Sequence, residues 1–545
     1  MSNKPSKDGE VLPIVHNLLK NSSSHGLPNI YSSRNVVAKL FWGMVFCAGL
    51  CLMFWQVYTL FEAYFAYEYI VGLEVRYNKT LPFPAVTICN LNPVLKSKLE
   101  EADESFRDKF DSNYVPPKDK DTQDDKNNMV TSSSLTSATN DDGGSSQGTR
   151  MDGETTTQAV NTTEPVKSWD ELENTEYFTG QSAEYKQRQK LTIALSDMTL
   201  DERHRIGHSL QDMLLDCTWK GYPCSPTNFT RFYHYRYGNC YTFNNGQLSS
   251  ILTTNKPGPN YGLSLELFVD QSEYMDDITD SAGLRISIHD PNKMPFPEDD
   301  GLYIGPGQRT SISTRVMEID RLGKPWGDCT DVNNYNTTNI YINMYNVSYS
   351  MQACERSCYQ YSVIEQCSCA DTNFPFPVEL LNLVPCDTED NETARICIEN
   401  MEAKYDNDEL MCSCNQTCEE EIYLTSISQS EWPSQGYQNT LFKRMEERNS
   451  KMRSNVKGPE ADDWTKRNVA KLDVYFMELN YQYIKQSPAY EVKDLLSDIG
   501  GQLGLWIGVS VVTLMEMMQL VGAVFGALFA KLHGPHSDPK IFPST

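Results

Sequence analysis

Residues Asp494–Ala530 read DLLSDIGGQLGLWIGVSVVTLMEMMQLVGAVFGALFA, and their residue types suit an ion path. From Ile499 to Met515 the stretch carries no charge, and after a lone carboxylate at Glu516 it runs apolar again to Ala530. Glycines at 500, 501, 504, 508, 522 and 526, with Ser510, allow helices to approach closely. An ionisable group inside a membrane span is costly unless it faces water or a partner, so Glu516 marks a path for ions or substrate. At ~1.5 Å rise per residue the stretch is long enough to cross the ~30 Å hydrocarbon layer as a pore-lining helix. The competing reading is a plain anchor whose Glu516 snorkels to the headgroups.

A second apolar run, Leu40–Phe61, contains no Asp, Glu, Lys or Arg and also spans a bilayer. Some forty polar residues precede it, unlike a signal peptide, and Trp42, Trp55 and Tyr58 are placed as interfacial aromatics. Two spans put both termini on one side. Lys4, Lys7, Lys20, Arg34 and Lys39 before the first, and Lys531 after the second, make that side cytosolic. The expected division is a cytosolic 1–39, a span at 40–61, an exterior domain at 62–498, a span at 499–530 and a cytosolic 531–545.

Two further signals place the middle outside. Of 16 cysteines, Cys47 and Cys51 fall in the first span and the other 14 lie between Cys89 and Cys418, an even number suited to disulfides. Glycosylation sequons at Asn78, Asn161, Asn228, Asn336, Asn346, Asn391 and Asn415 lie in the same region, whereas the one at Asn21 would be cytosolic and unused. The net charge of −26 argues against nucleic acid and highly anionic ligands, and suits a surface that gathers cations or a basic ligand.

Along the chain, His25-Gly26 before the first span reads by itself as a turn. FPAVTICN at Phe83–Asn90 predicts a strand near the membrane, placed to couple the exterior to the pore helices. Leu95–Phe110 has helical spacing. The Ser/Thr/Asn/Asp/Gly-rich 111–165 predicts a disordered insertion. Helical patterning returns over Trp169–Cys217, where His204 and His208, at i and i+4, would share an exposed helix face; with no third ligand they do not make a metal site. From Cys240 to Val316 alternation broken by turns predicts sheet, as does LDVYFMELNY from Leu472. The pairs 367/369 and 412/414 in the Cys-rich 329–418 fit disulfides better than zinc in an exterior segment. No Gly-x-Ser-x-Gly, His-Glu-x-x-His or other catalytic constellation is present, so neither an enzyme nor a cofactor is expected.

Taken together, His25-Gly26, FPAVTICN, the 14-Cys exterior, and Asp498-Ile499-Gly500-Gly501 running into Gly508-Val509-Ser510 resemble the degenerin/epithelial sodium channels. HSLQDMLLDC, GLSLELF, SAGLRISIHDPNKMPFP, SEWPSQGYQ and GLWIGVSVVTLMEMMQL are most similar to the invertebrate FMRFamide-gated members. The resemblance implies an α+β membrane protein: a homotrimer with two transmembrane helices flanking a disulfide-rich exterior of palm, finger, thumb, knuckle and β-ball. The finger helices would lie at 169–217 and the thumb at 329–418. It implies the pairs Cys89–Cys240, Cys217–Cys224, Cys329–Cys418, Cys354–Cys414, Cys358–Cys412, Cys367–Cys397 and Cys369–Cys386, which the cysteine positions alone leave open.

The resemblance also assigns roles. Gly508-Val509-Ser510 corresponds to the family's Gly-x-Ser filter, where a locally extended backbone turns carbonyls toward a dehydrating Na⁺. Glu516 would lie roughly 9 Å deeper on a continuous helix, with Asp498 as a second carboxylate ring at the outer mouth, where crowding raises at least one pKa. His25 and Gly26 would affect opening, and Trp326 would contact Tyr67 to pass thumb movement to the first helix. Proton-gated members have two histidines where this chain has Glu68 and Tyr69, which weakens direct proton gating.

The implied partners are permeant Na⁺, amiloride as blocker, membrane lipid, further copies of the chain and an extracellular amidated peptide. For that cationic, aromatic peptide, the acidic and aromatic Trp169, Asp170, Glu171, Glu176, Tyr177 and Phe178 are the candidate contacts. Alternatives are a constitutive, proton-modulated or mechanically gated relative, and a Cys-rich surface receptor without a pore. An ATP-gated channel shares the two-span plan but lacks FPAVTICN.

Overall fold

The computed structural model describes residues 26–100, 183–247, 250–275, 278–332, 339–376, 383–388, 391–448 and 460–532. The 30-residue helix Val36–Phe65 has only Met53 buried, as expected of a helix whose surroundings are not water. It is the one described helix long and apolar enough by itself to cross a membrane. The second apolar segment is not the continuous helix expected at 499–530. It starts as helix Val492–Ile507, breaks, and resumes as Val511–Leu532, and the two parts are bent by 82°. Only when that pair is taken as one broken segment does it make a second candidate span.

Among the described residues, fifteen strands follow the first helix: β1 (Tyr69–Tyr77), β2 (Leu81–Pro82), β3 (Ala85–Asn90), β4 (Leu214–Trp219), β5 (Tyr222–Pro223), β6 (Phe229–His234), β7 (Gly238–Phe243), β8 (Thr253–Thr254), β9 (Leu263–Phe268), β10 (Leu284–His289), β11 (Leu302–Ile304), β12 (Gln308–Asp320), β13 (Glu419–Glu431), β14 (Val469–Phe476) and β15 (Asn480–Pro488). The larger sheet runs β1-β15-β12-β14-β9-β4-β5, with β13 also on β12, and the smaller runs β11-β10-β3-β7-β6. β13 pairs antiparallel along all 13 residues of β12, so β14 and then β15 share β12's other edge.

All six residues of β3 and all six of β7 are buried, because both faces of this sheet are covered; that is why neither strand alternates in hydropathy. Val86 and Ile88 from β3, Phe243 from β7, Leu263 and Leu265 from β9 and Leu472, Val474 and Phe476 from β14 belong to one core. Phe83 wedges into it, 4.5 Å from the Trp219 ring and 5.8 Å from that of Phe476. Burial of each such side chain contributes about 1.5–3 kcal/mol.

This arrangement corrects two expectations. β3 lies in the smaller sheet and does not join the apolar helices to the larger sheet. β1, which follows the first helix after Tyr67 at φ +51°, does so by pairing antiparallel with β15 from Tyr69↔Pro488 to Tyr77↔Asn480. Patterning also overextended the helix toward Cys217. Helices cover Ala183–Ser196, Leu200–Ile206 and Leu210–Met213, but LLDCTW is β4, recruited by β9.

Helix Met351–Cys367 and helix Glu392–Asp406 form the core of the Cys-rich region. Cys354 and Cys358, one turn apart on the first, bond to Cys414 and Cys412, two residues apart in an extended segment. The two spacings match in length, which makes parallel rungs possible. Cys367–Cys397, Cys369–Cys386, Cys329–Cys418, Cys217–Cys224 and Cys89–Cys240 complete seven disulfides, the last between directly opposed residues of β3 and β7.

Candidate functional site

The break in the second apolar segment is written into its residues. Helix Val492–Ile507 ends on Gly508 in the left-handed region, at φ +66°, where the Gly508 amide donates to the Gly504 carbonyl at 3.2 Å and the Val509 amide to Leu503 at 3.1 Å. Ser510 then opens the next helix. Its Oγ accepts from the Thr513 amide at 3.3 Å, and Thr513 Oγ1 accepts from the Ser510 amide at 3.1 Å, a reciprocal cap. Gly508, Val509 and Ser510 are therefore a helix stop, a link and a helix start. The expected extended filter backbone is replaced at Gly508 by a left-handed turn. Glu516 lies six residues after Ser510 on the second piece, so the helical rise of roughly 9 Å runs along that piece, whose direction departs by 82° from that of helix Val492–Ile507. Ser510-x-x-Thr513 is the signal in the sequence for this restart.

The first helix meets the broken segment along Gly49, Met53 and Gln56. A Cβ on Gly49 would come within 3.3 Å of the Trp506 carbonyl, Met53 is buried, and Gln56 Oε1 accepts the Trp506 indole N–H at 2.6 Å. Asp498 accepts from the Tyr490 hydroxyl at 2.6 Å within the same chain. Gly26 has φ +90° and starts the short helix Leu27–Ser32, with Phe46 of the first helix 3.5 Å from where its Cβ would be. His25 lies outside the described residues.

At the other end of the first helix, the rings of Tyr67 and Trp326 meet edge to face with centroids 5.9 Å apart. The loop carrying Trp326 is anchored nearby: the Leu322 amide donates to Gln486 of β15 at 3.0 Å, and the Arg321 amide to Cys418 at 2.7 Å. Farther along the same strands from the first helix, Arg76 of β1 sits 3.4 Å over the Tyr483 ring, while the Tyr483 hydroxyl donates to Asp320 of β12 at 2.8 Å. These contacts join the Cys-rich region, the two strands that adjoin the apolar helices, and the first helix.

A cavity of about 300 Å³ lies farther out, lined by Tyr233, Tyr235, Phe296, Tyr341, Phe374 and Arg356 among others. Its polar centre is Glu298, which accepts from His234 Nε2 at 2.7 Å and pairs with Arg356; Arg356 also reaches Asp299 at 2.8 Å. His234 Nδ1 accepts the Arg236 amide, which fixes the Nε2–H tautomer. Burial alone would push the Glu298 carboxyl up, but the His234 and Arg356 donors hold it down at about 2. This network was not foreseen from sequence.

The peptide candidates Trp169, Asp170, Glu171, Glu176, Tyr177 and Phe178 lie outside the described residues, as do Asn161, Asn336 and the insertion 111–165. Asn78, Asn228, Asn346 and Asn391 are exposed, and Asn415 is half-buried. His204 and His208 do not share an exposed helix face, because the helix stops at Ile206. His208 is buried, 3.1 Å from the Asn92 amide nitrogen, and burial lowers its pKa to about 3; His204 Nδ1 lies 2.6 Å from Asn239 Oδ1.

Comparisons with known proteins match this architecture. The epithelial sodium channel subunit beta of Neoceratodus forsteri is 31% identical over 91% of this chain and 79% of that protein. The alpha subunit of the same species is 30% identical over 92% and 78%. The gamma subunit of Pelodiscus sinensis is 29% identical over 94% and 80%. A family model described as amiloride-sensitive sodium channel matches residues 18–520, which takes in the first apolar segment, the disulfide-rich region and the second apolar segment as far as residue 520, so the chain belongs to that family.

Proposed function

We propose that this chain is a subunit of a sodium-selective, amiloride-blocked channel of the plasma membrane, with the break at Gly508-Val509-Ser510 as its constriction. The observation that carries this reading is the helix stop and restart at those residues, packed against the first helix in a chain of this family. Both apolar segments span the membrane, both termini lie in the cytosol, and three copies surround the axis. Backbone carbonyls freed by the break face permeant Na⁺, tolerated because they line water. Glu516 and Asp498 add carboxylates that favour cations. β1 supports assembly: Ile70, Val71, Leu73 and Val75 are exposed on an edge strand, a surface suited to a neighbouring copy. Tyr67 and Trp326 pass movement of the Cys-rich region to the first helix.

The proposed stimulus is an extracellular amidated peptide of the FMRFamide type, supported by the sequence segments shared with peptide-gated members. The relatives reported above support the channel and do not extend to the peptide. Their names as alpha, beta and gamma subunits favour a second reading, in which this chain joins different subunits and conducts without a peptide. Whole-cell current in a non-native cell separates the two. An amiloride-blocked Na⁺ current evoked by FMRFamide at constant pH supports peptide gating. A standing amiloride-blocked current that the peptide leaves unchanged supports the second. Surface protein without current from the chain alone or with such subunits would sink both.

A further inference from the structure

Gln56 lies in the C-terminal third of the apolar first helix, between Trp55 and Val57, where an unpaired amide would be costly. Its Oε1 is 2.6 Å from the indole nitrogen of Trp506, two residues before Gly508, and the same N–H lies 3.1 Å from Gln502 Oε1. Helical side chains lean toward the N-terminus of their own helix, so the Trp506 ring lies back over Gln502, one turn earlier, and reaches Gln56. Two turns along the first helix from Gln56, Gly49 receives the Trp506 backbone: a Cβ there would stand 3.3 Å from its carbonyl oxygen. Trp506 is thus held at both ends by residues at i and i+7 of a single helix face, with the buried Met53 between them.

We propose that Gln56 is a positioning residue for ion selectivity: by accepting the Trp506 indole N–H, it sets where the Gly508–Ser510 break stands relative to the first helix. The inference rests on the reading of that break as the constriction. Trp506 is the last residue but one of the helix that the break ends. A shift or rotation at Trp506 is therefore carried directly into the carbonyls of the following turn. Gln56 acts through Trp506 and touches no ion.

The test uses the full chain in a non-native cell, with the basal or peptide-evoked amiloride-sensitive current. The Na⁺/K⁺ permeability ratio is taken from bi-ionic reversal potentials, and surface protein is measured in parallel. Gln56→Met keeps length but loses the acceptor, and Trp506→Phe keeps a ring but loses the donor. Each should lower the ratio by about threefold, the scale of one interhelical hydrogen bond in a membrane. The double variant should be no worse than either single one, because both remove the same bond. Gln56→Glu, which retains an acceptor, should hold the ratio near the parent value. An unchanged ratio in Gln56→Met, while Ser510→Cys changes it, overturns the proposal and leaves the constriction in place. Unchanged ratios in both overturn the reading of the break itself. If Gln56→Met reaches the surface but is silent, recovery of the current and its ratio in Gln56→Glu supports the proposal and its absence overturns it.

Discussion

Helix Met351–Cys367 is covalently tied through Cys354, Cys358 and Cys367 to Cys414, Cys412 and Cys397, whereas helix Val492–Ile507 meets its neighbour through one indole hydrogen bond and a glycine contact. In the first, three covalent rungs leave little freedom between the helix and the segments beside it. In the second, small residues and single polar contacts set position, and each can be exchanged at small cost. The contrast shows where this molecule can deform. On the proposed gating role, the cross-linked region would act as one body on the joint at Tyr67, Trp326, β1 and β15, and the helices beyond that joint hold the adjustable contacts.

Two glycines at the same φ of +66° give the strongest test of that contrast. A Cβ at Gly238 would stand 2.2 Å from the Pro93 carbonyl oxygen, a backbone atom in the core, so Gly238→Ala should abolish surface expression. Gly508→Ala adds a left-handed cost of about 1–2 kcal/mol and should reach the surface with altered selectivity. Equal loss of surface protein in both variants would break the distinction.

Next in size are the rungs. Cys354→Ser with Cys414→Ser should cost about 2–5 kcal/mol, read as a lower thermal midpoint of the purified chain, while the Na⁺/K⁺ ratio of surviving channels stays unchanged. A changed ratio would mean that the cross-linked region shapes the pore directly.

Acid sharpens the comparison within the exterior. Glu298 is held at about 2 against an ordinary 4.5, so its contribution is complete above pH 4.5 and is lost as pH falls toward 2. The full effect is on the order of 3 kcal/mol. Glu402 behaves oppositely. Burial first, then the nearby Asp371, Asp406 and Glu399, push it up to about 8, and its buried Oε2 has no hydrogen-bond partner among the described residues. Its effect destabilises the fold progressively as pH rises from 4.5 through 8. Melting curves should therefore lose their acid-side slope in Glu298→Gln and part of their alkaline-side slope in Glu402→Gln. Slopes identical to the parent's would refute these assignments.

The smallest expected effect lies at the joint. Tyr67→Leu and Trp326→Leu each remove an edge-to-face contact worth about 0.5–1.5 kcal/mol. Each should shift opening probability without altering ion selectivity, and the double variant should shift it no further than the larger single effect. Additive shifts would show that the two rings act separately.

Much of this was legible because local chemistry imposes it. A charge-free run cannot be anything but buried in lipid or protein, and cysteines confined to one region declare its redox side. Alternation broken by glycine and proline gave the strands from Cys240 onward. The helix stop at Gly508 was visible in kind but not in geometry. LLDCTW was misread because its apolar residues fit a helix face as well as a strand, and only pairing with β9 decides between them. His208 shares a helical spacing with His204, yet the chain leaves the helix in an extended conformation at Gly207 and carries it into the interior.

What the amino-acid sequence determined by itself was therefore the list of parts: two apolar segments, a cysteine-rich region between them, glycines at the bends and the family. The tertiary structure alone decided which parts meet. Gln56 with Trp506, β1 with β15 and His234 with Glu298 are contacts between residues separated by 64 to 450 positions, and only the Tyr67–Trp326 contact among those at the joint was implied beforehand, by the family resemblance. Local propensity decays within a few residues, whereas such contacts form only once the shared core has closed the chain and offset the entropy of bringing its ends together.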